Sequence, residues 1–118
     1  MPLTTESAPS ELLITCLCAQ WCGTCTEYHP LFTSLQAEFA DARFLWVDVE
    51  DEADLVDPME VENFPTLLIA RGDSATFFGT VTPHLETLRR LIQSSAADGA
   101  VAVRDAEVHA LVQRLRAR

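Results

Sequence analysis

The chain has 118 residues, of which 18 are acidic and 8 basic, giving a formal net charge of −10. This length suits a single domain with its own core and leaves no room for a second. Charge of this sign disfavours nucleic acid and anionic membrane surfaces as partners. Every basic residue is arginine, which excludes lysine Schiff bases, lysine general bases and P-loop phosphate binding. The opening MPLTTESAPS has no positive n-region, and Leu12–Ala19 is too short to span a bilayer. Neither a signal peptide nor a membrane helix is expected, so the expected location is cytoplasmic. Thiols stay reduced there, and clustered cysteines then point to chemistry rather than to staples. All four cysteines lie between positions 16 and 25.

The whole chain, 1–118, reads as one domain: an extended lead over 1–11, a core over 12–95 and an extension over 97–118. Leu12–Ala19 predicts a strand buried on both faces. A loop over Gln20–Thr24 leads into a helix to about Ala40, with Leu31, Phe32, Leu35 and Phe39 on one face and Pro30 as a kink. Arg43–Val49 predicts a second buried strand. The stretch 48–62 is acidic and carries a short helix near Glu52–Val56, ended by Pro58. Thr66–Ala70 and Ala75–Phe78 predict a hairpin around Arg71–Ser74. Thr82 and Pro83 read as N-cap and first residue of a helix ending near Ser95. After a small-residue linker over 96–100, Val101–Arg104 predicts a strand. Asp105 then caps a last helix with Val108, Leu111, Val112 and Leu115 on one face. Strands alternating with helices imply an α/β fold with a central mixed sheet covered on both sides.

Trp21-Cys22-Gly23-Thr24-Cys25 places a C-x-x-C where a buried strand becomes a helix. Unpaired N–H groups and the helix dipole favour an anionic sulfur at Cys22. Cys25 sits one turn further in, more shielded, within disulfide reach. Such a pair can attack a disulfide through the first sulfur and resolve the mixed disulfide through the second. Gly23 keeps the loop tight. The competing reading is half of a zinc or iron–sulfur site, completed by Cys16 and Cys18. Those two share one strand face by period 2, and closing four sulfurs on one ion would distort the strand.

WCGTC after a hydrophobic strand resembles the WCGPC motif of the thioredoxin family. Pro30, five residues after the second cysteine, Phe64-Pro65-Thr66, the strand after it, Gly72 and Gly79 follow in the family's order. The resemblance covers about Leu12 to Ser95 and implies a thioredoxin-like α/β/α sandwich. It implies a protein-disulfide oxidoreductase with a redox-active Cys22–Cys25 disulfide, acting on disulfide-containing client proteins and supplied by an upstream thiol reductase. It requires no cofactor and no metal. Cys22 would be the nucleophile and Cys25 the resolving thiol, with Trp21 shielding the site. Pro65, in cis, would leave Phe64 and Thr66 to pair with a client strand. Val49, Phe78, Gly79 and Thr80 would complete the rim. A binding module that has kept the fold and lost the redox chemistry is the other reading.

Three departures from the family matter. Cys16 stands where the family has a buried aspartate, so one of Cys16 and Cys18 is a candidate for tuning the site, Cys16 above all, or for an alternative disulfide, against a plain role for both as small core residues. Thr24 replaces a proline, which predicts a more oxidising couple. His29 lies on the Cys25 side of the helix and otherwise reads as a surface residue. Only eleven residues precede Leu12, where the family has a βα unit. The extension over 97–118 is expected to cover the sheet edge and helix face so left bare, within one chain as a monomer or by exchange in a swapped dimer.

Overall fold

A computed structural model describes residues 12–56, 61, 63–97 and 100–117. The lead over 1–11, the stop at Pro58, and Asp57, Glu60 and Glu62 of the acidic stretch lie outside the described residues. So do Asp98 and Gly99 of the linker.

The elements are β1 (Leu12–Cys18), α1 (Gly23–Glu38), β2 (Arg43–Asp48), α2 (Ala53–Val56), β3 (Thr66–Arg71), β4 (Ser74–Thr80), α3 (Leu85–Ala96) and α4 (Ala106–Arg116). The four strands run in the order β2-β1-β3-β4. β1 is parallel to β2 and antiparallel to β3, and β3 is antiparallel to β4. The sheet is therefore mixed, as the alternation of strands and helices requires. Gly72, at the β3–β4 turn, has φ of 62°, a conformation that costs glycine little.

Alternation along the strands builds a core on each face of the sheet. On one face Ile14, Cys16, Leu67 and Ile69 pack against Tyr28, Phe32 and Leu35 of α1 and Leu88 and Ile92 of α3. On the other, Leu13, Leu17, Val47 and Leu68 pack against Val56 of α2 and Val108, Leu111, Val112 and Leu115 of α4. Glu38 and Arg89 join α1 to α3 through a two-toothed ion pair at 2.6 and 2.8 Å. Arg114 donates to the carbonyls of Leu55 (2.6 Å) and Val56 (3.2 Å), so α4 satisfies the C-terminal end of α2. Among the described residues, no helix is long and apolar enough to cross a membrane.

Three expectations are corrected. β2 is an edge strand with only Val47 fully buried, because β1 pairs with it on one side alone. α3 starts at Leu85 with His84 as N-cap, since Thr82 is held in a tight turn in which its carbonyl accepts from His84 N–H at 2.8 Å. Val101–Arg104 is not a strand. Its one sheet-like bond runs from Val103 N–H to Ala75 C=O at 2.7 Å, beside the edge of β4 rather than of β2. Thus α4 covers one face of the sheet while its connecting segment meets the β4 edge.

His109 fastens this arrangement. Its Nδ1 accepts from Ala75 N–H at 3.4 Å while its Nε2 faces the Val103 carbonyl at 2.6 Å. That pattern requires the proton on Nε2. Asp105 caps α4 as expected, its Oδ1 accepting from Glu107 N–H (2.9 Å) and Val108 N–H (3.4 Å). Asp105→Ala is expected to cost about 1 kcal/mol, measurable as a lower midpoint in urea unfolding, whereas Asp105→Asn should retain most of the cap.

Candidate active site

The β1–α1 junction builds the site. β1 ends at Cys18, a turn over Ala19–Trp21 reverses the chain, and Cys22 N–H donates to Ala19 C=O at 3.0 Å. Cys22 is thereby the N-cap of α1, with extended φ and ψ of −88° and 116°. Its sulfur makes no capping hydrogen bond and stays a free, half-buried thiol. Instead, Cys22 Sγ lies 3.9 Å from the carbonyl of Phe64. The Phe64–Pro65 peptide bond is cis. The loop before β3 is locked by Val81 N–H donating to Pro65 C=O at 3.1 Å. Trp21, 68% exposed, sets its ring edge-on to Phe64 at 5.6 Å between centroids. The free thiol, the cis-proline loop and an exposed Trp21 resting on the half-buried Phe64 therefore meet at one place.

Behind that place the structure departs from expectation. The disulfide joins Cys18 to Cys25, not Cys22 to Cys25, with Cα atoms 5.9 Å apart. Cys18 closes β1 on the face that α1 covers, and Cys25 points from the first turn of α1 back onto it, so the two sulfurs meet across the junction. Cys18 is accordingly not a mere core filler. Cys16 Sγ lies 3.4 Å from Cys18 Sγ. A disulfide sulfur carries no proton, so Cys16 is the donor. Burial, reinforced by the nearby Cys22, pushes the Cys16 thiol far up, so Cys16 remains protonated. It therefore cannot supply the proton relay that a carboxylate at this position would. The hydroxyl of Tyr28 is buried without a hydrogen-bond partner among the described residues, and its ionisation is opposed by burial and by the neighbouring Cys16.

A cavity of about 350 Å³ opens on the bonded sulfurs, lined by Cys18, Cys25, His29, Pro30, Trp46 and Asp48 among others. His29 is exposed, as a surface residue should be, and it also borders the cavity. Its ring packs edge-on to Trp46 at 4.7 Å between centroids. Asp48 Oδ1 is engaged by the N–H groups of Glu50 and Asp51 at 2.9 and 3.0 Å, which turns the acidic loop away from β2.

The remaining anticipated site residues are placed as follows. Gly23 is the first residue of α1 and a side chain there would meet open space, so its value is not steric. Thr24 follows it, half-buried. Thr66 is buried and in register with Leu17 on one side and Thr80 on the other. It offers no open edge to a client, contrary to expectation. Gly79 pairs with Leu67 and carries the ring of Phe77 against it. Val49 and Phe78 do not join the rim, because both pack against the core beneath α2 and α4. Cys18 makes the alternative disulfide that the sequence left open for Cys16 or Cys18, while Trp46 and Asp48 line the cavity with no signal in the sequence. The one available signal was the period-2 spacing that puts Cys18 on the face of Cys16.

A helix N-terminus carrying a free thiol, with a disulfide just behind it and a cis-proline loop in front, defines a thiol–disulfide oxidoreductase in general. The comparisons agree. The Thioredoxin family model matches residues 5–94, and the chain belongs to that family. Thioredoxin H2-1 of Oryza sativa subsp. japonica is 31% identical over 93 residues, which cover 77% of this chain and 67% of that protein. Thioredoxin of Ovis aries is 38% identical over 90 residues, covering 74% and 86%. The oxidised form of mitochondrial thioredoxin 3 from Saccharomyces cerevisiae superposes with a TM-score of 0.63 at 25% identity, over 71% of this chain and 78% of that one.

Proposed function

We propose that this protein reduces or exchanges disulfides in client proteins through the Cys22-Gly23-Thr24-Cys25 dithiol and so contributes to redox homeostasis. The observation that carries this reading is the free Cys22 thiol at the N-cap of α1, facing the Phe64 carbonyl beside Pro65. In the reduced chain the Cys22 thiolate attacks one sulfur of a client disulfide. A mixed disulfide forms and the other client sulfur leaves as a thiolate. Cys25 then attacks Cys22, frees the client as a dithiol and leaves an oxidised chain. Phe64 and Trp21 supply an apolar platform for the client, and the Phe64 backbone gives it a place to align.

Two electrons must re-enter after each turn, so an upstream thiol reductase belongs to the cycle. A cycle of this kind suits the cytoplasm, where the glutathione and thioredoxin pools keep thiols reduced. The Cys18–Cys25 bond withdraws two of the four sulfurs from any tetrathiolate set, which favours redox chemistry over metal storage. The test is insulin reduction by the reduced chain, followed by turbidity with dithiothreitol as electron source. Turnover above the uncatalysed rate is expected, whereas a chain that binds clients without accelerating reduction is a binding module.

A further inference from the structure

Cys25 sits between two candidate partners. Cys22 belongs to the same first turn of α1, on the side of the cis-proline loop, and Cys18 belongs to β1, on the side of the cavity. The bond in the structure uses the second, and the first is left as a free thiol. We propose that Cys18 is a third redox cysteine of this site, which takes Cys25 out of a Cys22–Cys25 disulfide by internal exchange and returns Cys22 to the free thiol. This rests on the reading of Cys22 and Cys25 as the working dithiol.

The step balances without any outside oxidant or reductant. The Cys18 thiolate attacks Cys25 Sγ, the Cys18–Cys25 bond forms, the Cys22–Cys25 bond breaks, and the electron pair leaves on Cys22. The proton shed by Cys18 is replaced by one taken up at Cys22, and the cavity beside Cys18 and Cys25 has the room and the polar wall, His29 and Asp48, for water to carry it. Cys16 assists from behind. Its S–H points at Cys18 from 3.4 Å and stabilises negative charge there, whether Cys18 is attacking or, in the reverse step, leaving. Because burial keeps that proton on Cys16, the donor persists at neutral pH. The consequence is an oxidised chain that still shows one accessible nucleophile. Cys22 can then capture a second disulfide while Cys25 is occupied, and the captured client stays attached until its own displaced thiolate attacks back or the upstream thiol reductase reduces Cys18–Cys25 and frees Cys25 to resolve it.

Disulfide mapping of the full-length chain tests this. The reduced protein is oxidised with one equivalent of a small disulfide, its free thiols are alkylated at intervals, and it is cleaved with chymotrypsin. Trypsin is of no use, since the first arginine is Arg43 and all four cysteines stay in one peptide. Cleavage after the exposed Trp21 separates Cys16 and Cys18 from Cys22 and Cys25. The expected result is a pair of peptides joined by a disulfide, with the label on Cys22 growing after oxidation to about tenfold the level in Cys18→Ser. Cys18→Ser and Cys18→Ala should give unjoined peptides and a protected Cys22. Unjoined peptides with Cys22 equally protected in the wild type would overturn the proposal, as would a Cys16–Cys18 bond with Cys22 and Cys25 both labelled. The wild-type mapping needs no variant to fold. Insulin reduction measured on the same preparation reports separately on the dithiol reading: without it, a joined pair would be a structural staple and the exchange would fail together with that reading.

Discussion

Cys22→Ser is expected to bring insulin reduction down to the uncatalysed level, a loss on the order of 10³-fold. The sulfur is the attacking atom, and a serine hydroxyl stays protonated at neutral pH. The fold should survive the change, because Cys22 is half-buried and makes no capping bond, so circular dichroism and the unfolding midpoint should match the wild type. Cys25→Ser should behave differently. It leaves the attack intact and removes resolution, so covalent adducts with client proteins accumulate on non-reducing gels. An active Cys22→Ser chain would move the nucleophile elsewhere, and the free Cys16 is too buried to take its place.

The second large effect concerns α4. Val108, Leu111, Val112 and Leu115 are all at most 1% exposed and fill one face of the sheet. Burying side chains of this size contributes about 1.5–3 kcal/mol each, and the sum rivals the roughly 5–15 kcal/mol that separates folded from unfolded states. Removing residues 97–118 should therefore leave a chain that does not fold cooperatively and that aggregates through the uncovered Leu13, Leu17 and Leu68. A milder probe is Leu111→Ala, expected to cost about 2–5 kcal/mol and to lower the melting temperature by roughly 10–20 °C. Redox activity of the folded fraction should persist, since Leu111 lies on the face of the sheet away from Cys22. A truncated chain as stable as the intact one would mean that α4 is an appendage.

Much of the architecture was legible because it is written in short-range patterns. Continuous apolar runs of strand length marked β1 and β3, Gly72 marked the hairpin turn, and the Asp105 cap with its i, i+3, i+4, i+7 stripe marked α4 with the right buried residues. The errors fall where neighbours distant in sequence decide the outcome. Val101–Arg104 has a strand-like composition, but the segment meets β4 through one backbone bond and goes no further. The family resemblance puts Phe78 on the rim, yet its place in the β4 alternation turns it to the opposite core.

The cysteines divide along the same line. The sequence by itself determined that four thiols gather at a strand-to-helix junction, that Cys22 opens the helix, and that Cys16 and Cys18 share a strand face. Each of these follows from spacing along one element. Only the tertiary structure decided which sulfur Cys25 bonds. That choice depends on how closely α1 settles on β1, and the packing of Tyr28, Phe32 and Leu35 against the sheet fixes it by bringing Cys25 down onto Cys18.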